Sequence, residues 1–121
     1  MAGLRDLREF AAWQRAEELR QLVDQFLSRP NVKVRFRSAD QLADASSSAP
    51  RNIAEGFGRF RRKEFAQFVR IAKGSETEVL NCFVEAKQKG LISDDDFARY
   101  ETAAKRAIGT AVGLIKYLEK E

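Results

Sequence analysis

The feature that most constrains the fold is the spacing of apolar side chains from Lys63 to Lys89, which recur every three or four residues. This period aligns them on one side of an α-helix, because a helix has about 3.6 residues per turn. Gly90 follows as a C-terminal stop. The apolar stripe is Phe65, Phe68, Val69, Ala72, Ser75, Val79, Cys82, Phe83 and Ala86. The pattern predicts a long amphipathic helix that needs partners to cover its apolar side.

Two further stretches have the same period. The first runs from Asp6 to Ser28 and is ended by Arg29-Pro30, because the residue before a proline is steered out of the helical region. The last begins at Ser93, a typical N-cap, and runs to about Leu118. The three acids Asp94-Asp95-Asp96 suit the positive start of a helix, which we favour over a metal site.

A fourth helix is predicted from Ser38, with Ser38 as N-cap and Gln41 at the capping-box position. Pro50 lies inside it and predicts either a break near Ala49 or one kinked helix. We favour the kink, because apolar residues keep their helical phase on both sides of the proline. Those residues are Leu42, Ala49, Ile53 and Phe60. Gly56 and Gly58 weaken the end of this helix, and Gly58 is the better candidate for the turn.

The segment from Val32 to Arg37 alternates apolar and basic residues, which is typical of a strand. No second strand is predicted to pair with it, so a loop or a frayed helix entry is favoured. Four long helices with short connections predict an all-α fold, an antiparallel up-down-up-down four-helix bundle whose second helix is kinked at Pro50. The 121 residues form one domain, 1–121.

Composition argues against catalysis. Histidine is absent, which removes the commonest general base and metal ligand, and a single cysteine excludes an intrachain disulfide. Neither a signal peptide nor an apolar run long enough for a membrane span is present. We therefore expect a cytoplasmic protein that is not an enzyme and that needs no metal or cofactor.

The potential nucleophiles have structural interpretations. Cys82 falls on the apolar stripe and is expected to be a small core residue. Ser46-Ser47-Ser48 and Ser75 lack a histidine that could activate them. A catalytic role for Lys73 would require a buried side chain.

Charge is distributed unevenly along the chain. Arg29 to Lys73 carries a net charge of +7, whereas the rest carries −3. Cations with Phe57 and Phe60 beside them are a plausible phosphate contact with an adjacent aromatic. The candidate nucleic-acid contacts are Arg35, Arg51, Arg59, Arg61, Arg62 and Lys63. The alternative is that the cations solvate a turn and that both phenylalanines are core residues.

A second group of residues around the proline is interpreted as a structural motif. Asn52 is expected to tie down backbone beside Pro50, and Glu55 is expected to pair with Arg51 or Arg59 at four-residue spacing. The motif consists of Pro50, Asn52, Glu55, Gly56 and Gly58.

The segment Asn52-Ile53-Ala54-Glu55-Gly56-Phe57-Gly58-Arg59 resembles a known family. So do Lys63-Glu64-Phe65, Ile71-Ala72-Lys73-Gly74-Ser75 and Trp13-Gln14-Arg15-Ala16. Together they are similar to the four-helix-bundle proteins encoded in intervening sequences of bacterial 23S ribosomal RNA genes. A related branch comprises the accessory proteins of diversity-generating retroelements.

The resemblance implies a cytoplasmic bacterial homopentamer of four-helix bundles. The retroelement branch further implies RNA or DNA binding through a basic surface, together with a reverse transcriptase. One departure counts against such a surface: where the family usually has a basic pair after Gln41-Leu42, this chain has Ala43 and Asp44, so a nucleic-acid face built on that pair would be impaired. Taken together, the basic residues and the resemblance predict a non-enzymatic oligomeric nucleic-acid-binding protein. The alternative is a scaffold homo-oligomer that binds a protein partner and no nucleic acid.

Overall fold

Helices account for nearly all of the chain that the computed structural model describes, which is residues 6–59 and 61–120. These ranges contain no strand, so the all-helical prediction is confirmed. A 3₁₀ turn, Leu7–Glu9, is followed by five α-helices. They are α1 (Ala11–Leu27), α2 (Val32–Arg35), α3 (Ala39–Phe57), α4 (Arg62–Gln88) and α5 (Asp94–Glu119). Over the same ranges, no helix combines the length and apolar character needed to cross a membrane.

The four long helices pack in neighbouring pairs. α4 lies between α3 and α5, and α1 contacts the same two helices. The residue before α1 meets the end of α3 and the start of α4. There the ring centroid of Phe10 lies 5.4 Å from that of Phe57 and 5.6 Å from that of Phe65. We call this the Phe10 end of the molecule.

Aromatic rings also join the helices at the opposite end. Phe26 near the end of α1 lies 5.9 Å from Phe83 of α4 and 6.0 Å from Tyr100 of α5, measured between ring centroids. Phe83 stacks on Tyr100 at 4.7 Å. We call this the Tyr100 end. Each aromatic group removes a large apolar area from water where several helices converge.

The first helix is shorter than predicted. The backbone of Phe10 is extended, with φ −78° and ψ 124°, and it separates the 3₁₀ turn from α1. The prediction of one helix from Asp6 is therefore wrong at this residue. Asp6 forms a capping box with Glu9, and these reciprocal hydrogen bonds stabilise the 3₁₀ turn as an element separate from α1. The break places Phe10, only 4% exposed, among the rings of the Phe10 end.

α3 continues through Pro50 without a break, as predicted, and Leu42, Ala49 and Ile53 are all buried on its inner side. The bend at Pro50 stays a prediction. The segment from Val32 to Arg37, before α3, was expected to be a loop or a frayed helix entry, and the structure differs from this. α2 is a separate helical turn, and Val32 and Phe36 anchor it in the core.

Ser38 is the N-cap of α3, but the predicted capping box is wrong. The Ser38 hydroxyl makes no cap bond and donates to the carboxylate of Glu85 at 2.8 Å. The amide of Gln41 donates to Glu78 at 2.8 Å. A bond to a carboxylate is stronger than a neutral cap bond, so the two polar side chains join α3 to α4 instead.

The predicted ends of α4 and α5 are confirmed. Gly90 has φ 74°, and its N–H donates to the carbonyl of Lys87 at 2.9 Å. The N–H of Leu91 donates to the carbonyl of Ala86 at 3.0 Å, which completes a Schellman motif. At the start of α5, the Ser93 hydroxyl accepts from the N–H of Asp96.

Candidate nucleic-acid interface

The turn between α3 and α4 depends on Gly56. A Cβ at this position would lie 2.7 Å from Cδ1 of Phe65 and 2.8 Å from Cβ of Phe68. The end of α3 therefore approaches the start of α4 more closely than any residue with a side chain would permit. Gly58 has the ordinary helical φ of −72°, so its position is the helix end without a need for the left-handed region. The close approach positions the cations that follow it at the Phe10 end; we call Arg59, Arg61 and the first two residues of α4, Arg62 and Lys63, the basic turn.

Arg59 is partly engaged within the protein. Its guanidinium carbon lies 5.1 Å from the ring centroid of Phe68, and one of its nitrogens lies 4.0 Å from a carboxylate oxygen of Glu55. The predicted pairing of Glu55 at four-residue spacing is therefore confirmed with Arg59. Both side chains are solvent-exposed, so this pair is weak and leaves the arginine able to contact an anion.

Arg62 is the most firmly held of the six predicted cations. Its guanidinium group donates to the backbone carbonyls of Tyr117 and Leu118 and lies over the ring of Tyr117. These carbonyls belong to the last turn of α5, where backbone acceptors lack helical partners. Arg62 thus ties the start of α4 to the end of α5.

The other four predicted cations are exposed and form no ion pair within the described residues. Arg61 and Lys63 lie in the basic turn itself, and Arg51 lies two helical turns before it on α3. Arg35 ends α2, at the Tyr100 end. Because α3 has 19 residues and rises about 1.5 Å per residue, Arg35 lies roughly 30 Å from the turn. The six residues therefore do not form one continuous surface.

The two predicted aromatics have different outcomes. The ring of Phe57 is half-buried and makes edge contacts with Phe10 and Phe65, which favours the core interpretation. Phe60 lies outside the described residues.

Asn52 has the structural role that its sequence position predicted. Its side-chain amide donates to the carbonyl and to the hydroxyl of Ser48, both at 2.9 Å. The Ser75 hydroxyl of α4 donates to the same Ser48 hydroxyl at 2.9 Å. This chain of hydrogen bonds stabilises α3 beside Pro50 and joins it to α4.

A polar cleft between α3 and α4 includes Asp44, which with Ala43 stands where the resemblance predicted a basic pair. Ala43 is half-buried against the core, whereas Asp44 is exposed at the cleft. The cleft has a volume of about 610 Å³, and its other lining residues include Gln41, Arg51 and Glu78. The two carboxylates of Asp44 and Glu78 outnumber the single guanidinium group of Arg51 there, so the cleft is unfavourable for a phosphate.

The potential nucleophiles are held in structural roles. Cys82 is buried, and burial raises the pKa of its thiol to about 11, so the reactive thiolate is disfavoured. The Ser46 hydroxyl donates to the carbonyl of Ala43. The side chain of Lys73 is exposed, which is opposite to the burial that a catalytic lysine needs.

Sequence reasoning missed Glu76, which is fully buried on the inner side of α4. Neither carboxyl oxygen has a hydrogen-bond partner among the residues that the structure describes, and burial raises the pKa of the carboxyl group to about 8. The residue separates two apolar clusters of the core, since Ala72 belongs to one and Val79 to the other. A signal was available, because Glu76 fits the alternating three-four spacing better than Ser75.

A groove between α4 and α5 near the Phe10 end was also missed. It has a volume of about 490 Å³. Its lining residues are Arg70, Lys73, Gly74, Val112, Ile115, Lys116 and Glu119. The two walls come from segments about 40 residues apart in sequence, so no local pattern announces the groove.

These features define the described part of the chain as a small all-helical protein with a tight, cationic turn at one end and a carboxyl group buried in its core. Residues 8–110 match the family model described as 23S rRNA-intervening sequence protein. Because the match covers most of the chain, the chain belongs to this family, as the resemblance predicted. No curated protein sequence matches the chain. The link to retroelement accessory proteins stays a prediction.

Proposed function

We propose that the protein is a non-enzymatic oligomer that binds nucleic acid, RNA in particular, through cations at the Phe10 end. The observation that carries the proposal is the exposure of Arg61 and Lys63, which form no ion pair with any described residue, in a turn whose position depends on Gly56. The name of the family refers to inserts in 23S ribosomal RNA, which supports RNA as the ligand.

The proposed architecture is an up-down-up-down bundle with a bend at Pro50. The aromatic contacts at the two ends support it, because the start of α4 meets the end of α3 and its end meets the start of α5. We further propose a cytoplasmic homopentamer, as the family resemblance implies. A ring of five copies multiplies the modest charge of one basic turn, and a reverse transcriptase is a candidate protein partner.

A gel-shift titration against single-stranded RNA and DNA at several salt concentrations tests the proposal, with light scattering to measure the mass of the oligomer. Each phosphate contact contributes about 0.7 to the slope of log affinity against log salt for a single strand. We expect R61Q/K63Q to lose affinity and part of this slope. The control K87Q/K89Q removes the same charge at the Tyr100 end and should bind like the wild type. No detectable binding by the wild type at low salt contradicts the proposal.

A scaffold oligomer without a nucleic-acid role is the second candidate, favoured by the carboxylates of Asp44 and Glu78 at the α3–α4 cleft. In that case light scattering would show a stable oligomer that binds neither RNA nor DNA. Binding of a protein partner would then be unchanged in R61Q/K63Q.

A further inference from the structure

The groove between α4 and α5 is electrostatically positive. Lys73 on one wall and Lys116 on the other are exposed and have no ion pair within the described part of the chain. Among the described residues that line the groove, Glu119 is the only acid, and it already pairs with Arg70. Two cations thus remain uncompensated on opposite walls, which makes the groove complementary to an anionic chain.

The floor of the groove is apolar and open. A Cβ at Gly74 would have no other atom within 4 Å, so an incoming group can approach the backbone of α4 closely. Val112 and Ile115 provide the α5 side of the floor, and Val112 is half-buried. Lysines on both walls suit the phosphates of a nucleic acid, and the apolar floor between them is a surface that its sugars and bases can contact.

The groove and the basic turn share helix α4. Lys63 precedes Lys73 by ten residues on this helix, which is about 15 Å along its axis. Arg62 joins the start of α4 to the end of α5, so the cations of both helices converge at the Phe10 end.

We infer that the α4–α5 groove is the path of a single-stranded nucleic acid that enters from the basic turn, with Lys63, Lys73 and Lys116 contacting phosphates spaced along the strand. This inference rests on the proposed function and specifies its ligand. Packed helices have axes about 8–10 Å apart, so the groove between them admits one strand and is too narrow for a duplex. A second copy of the chain is a poorer occupant, because lysine is depleted from the centres of protein interfaces.

The test measures binding of fluorescent oligonucleotides of one sequence, as single strand and as duplex, to the full chain. We expect K73Q/K116Q to lose about tenfold in affinity for the single strand and about 1.4 in salt slope, the contribution of two phosphates. K87Q/K89Q again controls for net charge. Gly74→Leu fills the floor without changing charge, and we expect several-fold weaker binding with an unchanged slope.

Two results overturn the inference while leaving the proposed function intact. One is wild-type-like binding by both K73Q/K116Q and Gly74→Leu when R61Q/K63Q is impaired. The other is tighter binding of the duplex than of the single strand. If the wild type binds neither ligand at low salt, the proposed function fails and this inference fails with it.

Discussion

The guanidinium carbon of Arg62 lies 4.7 Å from the ring centroid of Tyr117. The same arginine donates to the backbone carbonyl of that tyrosine, so one side chain joins the first turn of α4 to the last turn of α5. A cation in a basic segment can therefore stabilise the fold even where its neighbours remain available to a ligand.

Replacing Arg62 tests this division of roles. We expect Arg62→Ala to lower the free energy of unfolding by about 1–2 kcal/mol, since it removes a cation–π contact and the donors to the last carbonyls of α5. Arg61→Ala is the matched control and should change stability by less than about 0.5 kcal/mol, because its side chain is exposed. Urea denaturation measures both. Equal effects of the two substitutions would contradict the structural role of Arg62.

Glu76 should make stability depend on pH. Burial raises the pKa of its carboxyl from 4.5 to about 8, so the folded protein keeps a proton that the unfolded chain releases. The stability associated with the protonated carboxyl is complete below about pH 4.5 and is lost progressively as pH rises to about 8. The loss is about 1.4 kcal/mol per pH unit at most within this window.

The variant Glu76→Gln isolates this effect, because its amide does not titrate. We expect the difference in unfolding free energy between Glu76→Gln and the wild type to grow from pH 5 to pH 8 in favour of the variant. Urea denaturation across this range measures the difference. A constant difference would mean that the carboxyl is not buried in the folded protein.

Gly56 should tolerate no side chain. We expect Gly56→Ala to destabilise the protein by about 1–3 kcal/mol, because the new methyl group meets the ring of Phe65 and Cβ of Phe68. Gly113→Ala is the control on α5, where no atom lies within 4 Å of the added Cβ. It should stabilise the protein by about 0.5–1 kcal/mol through helix propensity. Thermal denaturation distinguishes the two, and stabilisation by both would contradict the close approach at Gly56.

Asp44 is an exposed carboxylate on α3 and should oppose nucleic-acid binding wherever the bound ligand passes near this helix. Asp44→Lys replaces an exposed carboxylate with a cation at the α3–α4 cleft, and we expect affinity for RNA to rise about threefold to tenfold at low salt. The gain should shrink as salt is added. Asp95→Lys, at the exposed start of α5 at the Tyr100 end, is the matched change of charge. An equal gain from both variants would indicate a general charge effect without a local contact.

Local patterns predicted much of the fold. The helical phase of Leu42, Ala49 and Ile53 was sufficient to predict a continuous helix across Pro50, because a loop would not keep that phase. The stop at Gly90 and the cap at Ser93 were equally predictable, since each depends on bonds within one turn. The break at Phe10 was not predictable from sequence, because the stabilisation comes from contacts of its ring with rings on α3 and α4.

The candidate interface was predicted only in part. The basic residues around Arg61 were evident from sequence. Which of them stabilise the fold and which remain available to bind a ligand was not. Arg62 contacts carbonyls 55 and 56 residues later, and Arg35 lies at the opposite end of the molecule. The carboxyl of Glu76 fitted the apolar spacing, yet a polar residue is not expected at a core position unless the packing is known.

By itself, the sequence determined the four long helices, most of their ends and the family, because helical period, proline, glycine and capping residues act within a few positions of one another. Only the tertiary structure decided which cations contact other protein groups, that the Glu76 carboxyl group is buried without a hydrogen-bond partner among the described residues, and that Lys73 and Lys116 face one groove. Those properties depend on which helices become neighbours, and that is set by the packing of the whole core.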